Sequence, residues 1–79
     1  MRNKTETFSK IQQTFSRRLT ELMSENNLNQ AKLSKFTGIS NQAISNWLLC
    51  KGVPSLEMLY ILADYFDVSI DDLTGRKDY

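Results

Sequence analysis

Asn41, Gln42, Ser45 and Asn46 bring four short, uncharged hydrogen-bonding side chains together in one stretch of the chain. At helical spacing they share a side with Leu49, while Ala43, Ile44, Trp47 and Leu48 make an apolar stripe on the other. An amide offers a donor and an acceptor on one edge, so Asn or Gln can pair with N6 and N7 of adenine in the major groove. Such a face suits base edges better than a substrate pocket. Helix capping is the plainer role for Asn41 and Gln42, because both residue types also cap helices. Catalysis finds little to work with: there is no histidine, no glycine-rich phosphate loop, no metal-ligand cluster and no nucleophile beside a base. No enzyme activity, cofactor, metal or small-molecule ligand is expected, and helix capping accounts for Asp71-Asp72.

The elements that must hold this face are two short helices either side of Thr37-Gly38-Ile39-Ser40. Asn29 can cap the first, whose apolar residues are Ala31, Leu33 and Phe36. Gly38 supplies a left-handed residue that ends it, and Ser40 caps the second. Two helices joined through one glycine make a helix-turn-helix, spanning Asn29 to Lys51.

Upstream, Phe8, Ile11, Phe15, Leu19 and Leu22 recur at spacings of three and four, which predicts a helix from about Ser9 to Glu25. Ser9 with Gln12 fits a capping box, while Thr14 and Ser16 are competing starts. Residues 1–8 read as a polar arm, either frayed or placing Arg2 and Lys4 against a phosphate backbone or a neighbouring subunit. Asn26-Asn27 ends the helix, and Leu28 anchors the turn. Downstream of the loop 49–53, Pro54-Ser55 opens a helix with Ser55 as cap and Glu57 suited to its dipole. Leu56, Leu59, Leu62, Ala63 and Phe66 make its buried stripe, and Met58, Ile61 and Tyr65 a second one. That second stripe either extends the core edge or forms a candidate dimer interface. Ser69 and Asp72 cap a last short helix with Leu73 inside and Gly75 as terminator. No alternating run supports a strand. The expected fold is all-α, a compact bundle of about five short helices, with a domain over 9–75 and a loose tail over 76–79.

Seventy-nine residues, 41% apolar and 24% charged, describe one soluble domain with a small core. The strongest apolar run, Met58 to Ala63, is too short to span a bilayer, so no membrane partner is expected. The polar start MRNKTET does not read as a secretory leader, and the single Cys50 forms no internal disulfide, so the cytoplasm is the expected location. Cys50 itself reads as a small semi-buried residue. Net charge is only +1, but its distribution is uneven. Residues 1–53 hold eight basic and three acidic residues, and residues 54–79 hold two basic and six acidic. The half with the helix pair is the one that would attract a polyanion.

In this order and spacing, Leu28-Asn29-Gln30, Leu33, Gly38-Ile39-Ser40, Ile44, Trp47 and PSLEMLYILADYFDVSIDDLTG resemble the phage repressor and Cro-type helix-turn-helix regulators. The resemblance covers roughly Phe15 to Gly75. It implies that Gln30 hydrogen-bonds a phosphate with help from Asn29, that Asn41, Gln42, Ser45 and Asn46 face the major groove, and that Lys51 meets the backbone. The chemistry agrees, since a helix start offers unpaired N–H groups to an anion. Members of that family often pair an arginine late in the first helix with a glutamate in the third; here Met23 and Leu48 stand in those places, and the two are expected to touch. An apolar pair loses little against a buried ion pair, whereas one lone buried charge would cost roughly 3–5 kcal/mol. Cys50 departs from the family's usual glycine and Leu49 from a frequent polar residue, with Gly52 available to restore flexibility. Leu49 either rests on a thymine methyl or packs beside Val53.

These expectations define a sequence-specific double-stranded DNA-binding transcription regulator, repressor-like, acting as a homodimer. Two copies would set two recognition helices about 34 Å apart on a palindromic operator. The competing reading is a protein-interaction module of the same fold, antitoxin-like or anti-repressor-like, engaging its partner through Met58, Ile61 and Tyr65.

Overall fold

The computed structural model describes residues 4–76, and every element among them is helical. The helices are α1 (Lys4–Glu25), α2 (Gln30–Thr37), α3 (Asn41–Leu48), α4 (Leu56–Phe66) and α5 (Ile70–Thr74). Arg2 and residues 77–79 lie outside the described residues.

The starts of α2 to α5 follow from local chemistry. Asn29, Ser40, Ser55 and Ser69 each hold extended backbone and accept the N–H three residues on with the side-chain oxygen. The ends share a second device. Asn27, Cys50, Asp67 and Gly75 take left-handed backbone, and in each case the next residue's N–H closes on a carbonyl five residues back. These bonds run from Leu28 to Met23, Lys51 to Asn46, Val68 to Ala63 and Arg76 to Asp71, at 2.7–3.0 Å. Gly38 ends α2 differently: its N–H bonds Ser34, and the Ile39 N–H turns to Thr37 Oγ1.

Helix α1 differs from expectation at its start, which is Lys4. Ser9 is inside the helix, where its hydroxyl accepts a 3.4 Å bond from Gln13 Nε2, so it does not cap. The core begins only at Phe15, and Phe8 and Ile11 remain exposed, Ile11 on the rim of a cavity that it shares with Thr74, Gly75 and Arg76 at the end of α5. Helical periodicity continues there without full burial. The periodic spacing marked helix correctly, but burial needs an opposing element.

Phe15, Leu19, Leu22 and Met23 from α1 meet Leu33, Ile39, Ile44, Trp47, Leu62, Ala63 and Leu73 in one core. Three expected core members are absent from it. Ala31 and Phe36 are exposed on α2, Phe36 by 56%, and Leu56 is 66% exposed on the first turn of α4. The core is centred on Leu62 and Ala63, so even Leu59 is only half-buried, and Leu56 lies a further turn out. Phe36 finds a surface partner, its ring stacked on Tyr65 at 6.3 Å.

Helix α5 is fastened to α1 by charge. Arg18 grips Asp72 through two bonds of 3.1 and 3.0 Å, and also reaches Glu21 at 3.2 Å. The hydrogen bond to Asp72 chiefly raises the guanidinium's pKa above its ordinary value, against burial, with Glu21 and the charges of Asp72 and Glu25 adding to it. A cation with a raised folded pKa contributes its stability throughout the range below its unfolded pKa, so the Arg18 side of this clamp is charged at any working pH. Ser69 receives the Asp72 N–H, which is the Ser69 half of the capping reading, while the Asp72 carboxylate serves Arg18 with both oxygens.

At the other end of α5, Gly75 meets α1 so closely that an added Cβ would run into the Thr14 methyl. Gly38 shares the left-handed backbone but faces open space. Gly38→Ala is expected to cost about 1 kcal/mol, the conformational part alone. Gly75→Ala is expected to cost a further 1–3 kcal/mol or so from overpacking. Urea denaturation of both variants measures the difference, and equal losses would show that the close approach to Thr14 contributes nothing.

Candidate nucleic-acid interface

The inner side of α3 is fixed by three contacts from its apolar stripe and its last turn. Ile44 and Trp47 are buried, and the Trp47 ring meets Phe15 edge to face, with centroids 5.6 Å apart at 76°. Ser16, a buried polar residue, donates its hydroxyl to the Leu48 carbonyl at 3.1 Å. That carbonyl is one of the four that a helix C-terminus leaves without an internal partner. Met23 is buried and Leu48 half-buried, and both line one groove with Thr20, Ser24 and Leu28. The apolar replacements at the positions of the family's ion pair therefore face a common space.

With its inner side held, α3 leaves Asn41 and Gln42 exposed and Ser45 and Asn46 half-buried. Ser40 provides the cap, so neither Asn41 nor Gln42 is needed for it. The Gln42 Nε2 donates to Asn46 Oδ1 at 3.1 Å, one turn along. Two amides expected to act side by side are thus already bonded to each other.

Flanking groups point to an anion. Asn29 Oδ1 takes the Lys32 N–H at 2.8 Å, which makes it the cap of α2. The N–H groups of Gln30 and Ala31, in the first turn, have no acceptor within the helix by geometry. Gln30 is half-buried at that end, and Lys32, Lys35 and Lys51 are exposed. From Asn26 to Leu56 the chain has no acidic residue, so this unit is positive throughout, whereas Asp64, Asp67 and Asp71 are exposed on α4 and α5. The uneven charge along the sequence is also uneven between elements.

The exit from α3 corrects the reading of the loop. Cys50 is exposed, not semi-buried, and it holds φ 60 itself. Its N–H bonds Trp47 at 3.1 Å while the Lys51 N–H bonds Asn46 at 2.7 Å. Cys50 thus fills the left-handed position that glycine fills in this motif, and Gly52, at φ 79, adds a second left-handed residue without relieving the first. Lys51 is anchored by its own N–H beside the amide face. Leu49 is 62% exposed.

Of the second α4 stripe, Met58 and Ile61 pack against the core and Tyr65 is exposed between Phe36 and Phe66. Sequence reasoning missed Ser16 as the tie to α3 and Arg18 as the tie to α5. Both act across large sequence separations that periodicity does not register. A serine and an arginine one to three residues from buried Phe15 offered the only sign, and they could as well have faced water.

A five-helix protein whose second and third helices form a capped, positively charged pair, with a polar side presented outward, is a helix-turn-helix module. The chain belongs to the helix-turn-helix family, whose profile, described as "Helix-turn-helix", matches residues 19–73. It is 37% identical over 64 residues to the HTH-type transcriptional activator BcrR of Enterococcus faecalis, a match that covers 81% of this chain and 31% of that protein. It is also 37% identical over 60 residues to the HTH-type transcriptional regulator AnsR of Bacillus subtilis (strain 168), covering 76% of this chain and 52% of that protein. The chain thus spans about a third and about half of the lengths of these relatives. No solved structure matches it significantly.

A non-glycine residue in left-handed backbone costs about 1–2 kcal/mol, part of which glycine returns as chain entropy. Cys50→Gly is expected to stabilise the fold by about 0.5–1 kcal/mol net. A thermal melt followed by circular dichroism checks this; an unchanged or lower midpoint would mean that Cys50 makes a compensating contact.

Proposed function

We propose that the chain is a sequence-specific double-stranded DNA-binding transcription regulator that lays α3 in the major groove. The observation that carries this reading is the outward amide face of α3, clear of acidic residues and held from behind by Trp47 and Leu48. Asn41, Gln42, Ser45 and Asn46 are the groups offered to base edges. The start of α2, with Asn29 and Gln30, takes a phosphate, and Lys51 takes another beyond the far end of α3. The names of BcrR and AnsR support a role in transcription. One of them is an activator by name, but repression requires only that a bound chain occupy its site, and we assign that sign here. The genome is cytoplasmic in that setting, and so is the protein. Among the described residues no helix is long and apolar enough to cross a membrane, and no cluster of His, Cys, Asp or Glu could hold a metal. The role is one of binding, not catalysis.

A single module of this size contacts few base pairs, so the reading includes a homodimer on a palindromic operator. Helix α4 supplies its seat. Tyr65 with neighbouring Phe36 offers exposed aromatic area there, and Met58 and Ile61 contribute what the core leaves uncovered. The same area favours the second reading, docking of a different protein. Sedimentation of the chain alone and with duplex separates these: Tyr65→Asp is expected to convert a dimer to a monomer and weaken DNA binding with it. A chain that stays monomeric on its duplex removes the dimer.

Selection of bound duplexes from a random pool is expected to return an adenine-containing, two-fold symmetric motif. Against that motif Gln42→Ala should cost about 1–3 kcal/mol and relax preference at one position per half-site. Lys51→Ala should weaken all sequences alike and reduce the salt slope by about 1 for each chain bound. Equal binding of every duplex at low salt would eliminate the DNA reading.

A further inference from the structure

From the hydrogen bond between Gln42 and Asn46 we infer that the two amides do different work: Gln42 reads the base, and Asn46 is the positioning residue that orients it. This inference rests on the DNA-binding reading and specifies how one face of α3 is used.

The two residues stand one turn apart, at the second and sixth positions of α3. Gln42 is exposed on the first turn, the part of a recognition helix that contacts base edges. Asn46 is half-buried and closer to the helix end, where its own carbonyl accepts the Lys51 N–H at 2.7 Å and the Leu49 N–H at 3.2 Å. Its backbone is therefore pinned by the closing turn, and its side chain is short. Gln42 is the longer and freer of the two. A rigid short amide holding a flexible long one is the arrangement that pre-orders the long one.

Reach and exposure divide the roles, and the bond couples them. A primary amide has two N–H donors and an oxygen with two lone pairs. Gln42 commits one N–H to Asn46 Oδ1. It keeps the other N–H and Oε1, which together form the donor–acceptor edge that adenine N7 and N6 require. Asn46 keeps a lone pair and both N–H groups, but it is half-buried and its side chain is one carbon shorter, so its amide edge reaches less far from the helix than that of Gln42. Freezing a free glutamine on binding loses rotamer entropy, and the bond to Asn46 meets that loss before DNA arrives. The face so described reads one adenine per half-site through Gln42, with discrimination that depends on Asn46.

The test uses the full chain as wild type and as Gln42→Ala, Asn46→Ala, the double variant and Asn46→Asp, each checked for an unchanged helical melt. Base preference is measured position by position on duplexes selected with the wild type. Gln42→Ala is expected to lower preference at one base pair by roughly tenfold or more. Asn46→Ala should lower it at that same base pair, by roughly threefold to tenfold, and the double variant should be no worse than Gln42→Ala. Asn46→Asp keeps an acceptor for Gln42 Nε2, so preference at that base pair should recover relative to Asn46→Ala, although its charge lowers affinity for every sequence. If Asn46→Ala instead affects a different base pair, additively with Gln42→Ala, or if Asn46→Asp turns a neighbouring preference toward cytosine, Asn46 reads a base itself and the inference is wrong. An Asn46→Ala profile identical to wild type overturns it equally. A wild-type chain that selects no motif is a separate result and overturns the DNA reading.

Discussion

The fold's use depends on the attachment of α3 to α1. A recognition helix of eight residues has little stability of its own, because helix nucleation is costly and so short a segment makes few internal bonds. What orients it is the Phe15–Trp47 ring contact together with the bond from Ser16 to the Leu48 carbonyl. The first fixes rotation about the helix axis, since Trp47 must point inward. The second fixes position along it, since the Ser16 hydroxyl is bonded to the Leu48 carbonyl. With both set, the outward direction of Gln42 and Asn46 follows from helical geometry alone.

The same economy explains the placement of charge. Arg18 is outnumbered by its three carboxylate partners on the α1–α5 side, which leaves that cluster net negative, while the lysines of α2 and of the loop after α3 are the exposed cations around the amide face. Clamping with α5 also draws acid away from the surface a polyanion would approach. A net charge of +1 therefore conceals a polarised molecule. Between the first and third helices Met23 and Leu48 line one apolar groove, and the charged clamp sits between the first and last helices.

Features governed by neighbours in sequence were legible. Four helix starts rest on a side chain bonding an N–H three residues on, and Asn29, Ser40, Ser55 and Ser69 were all identifiable from that spacing. The apolar inner side and polar outer side of α3 were equally plain, being a matter of period. Features governed by distant partners were not. Phe36 and Leu56 have the right period for burial yet stay more than half exposed, Phe36 with only Tyr65 against it, and Phe8 and Ile11 are likewise exposed on α1. Ser16 and Arg18 gain their importance from residues 32 and 54 positions away. On the outward side of α3 the residue types were visible, but the bond between Gln42 and Asn46 was not, because spacing brings two amides within reach without fixing their rotamers.

Helix ends show how a local rule and a functional surface come to share residues. Asn27, Cys50, Asp67 and Gly75 all solve one problem, the unpaired carbonyls of a last turn, with the same left-handed residue and the same following bond. Asn and Asp tolerate that backbone through their short polar side chains, and Gly lacks the Cβ that makes it strained. Cys50 has neither advantage, yet it stands where the closing turn also determines Lys51 and the carbonyl of Asn46. The strained residue is thus located between an exposed cation, Lys51, and the amide pair, and the Lys51 N–H is tied to the Asn46 carbonyl through the backbone. This leaves the Asn46 side chain available to Gln42 and the Lys51 side chain exposed while their main chain completes the fold, so one turn closes α3 without using either side chain.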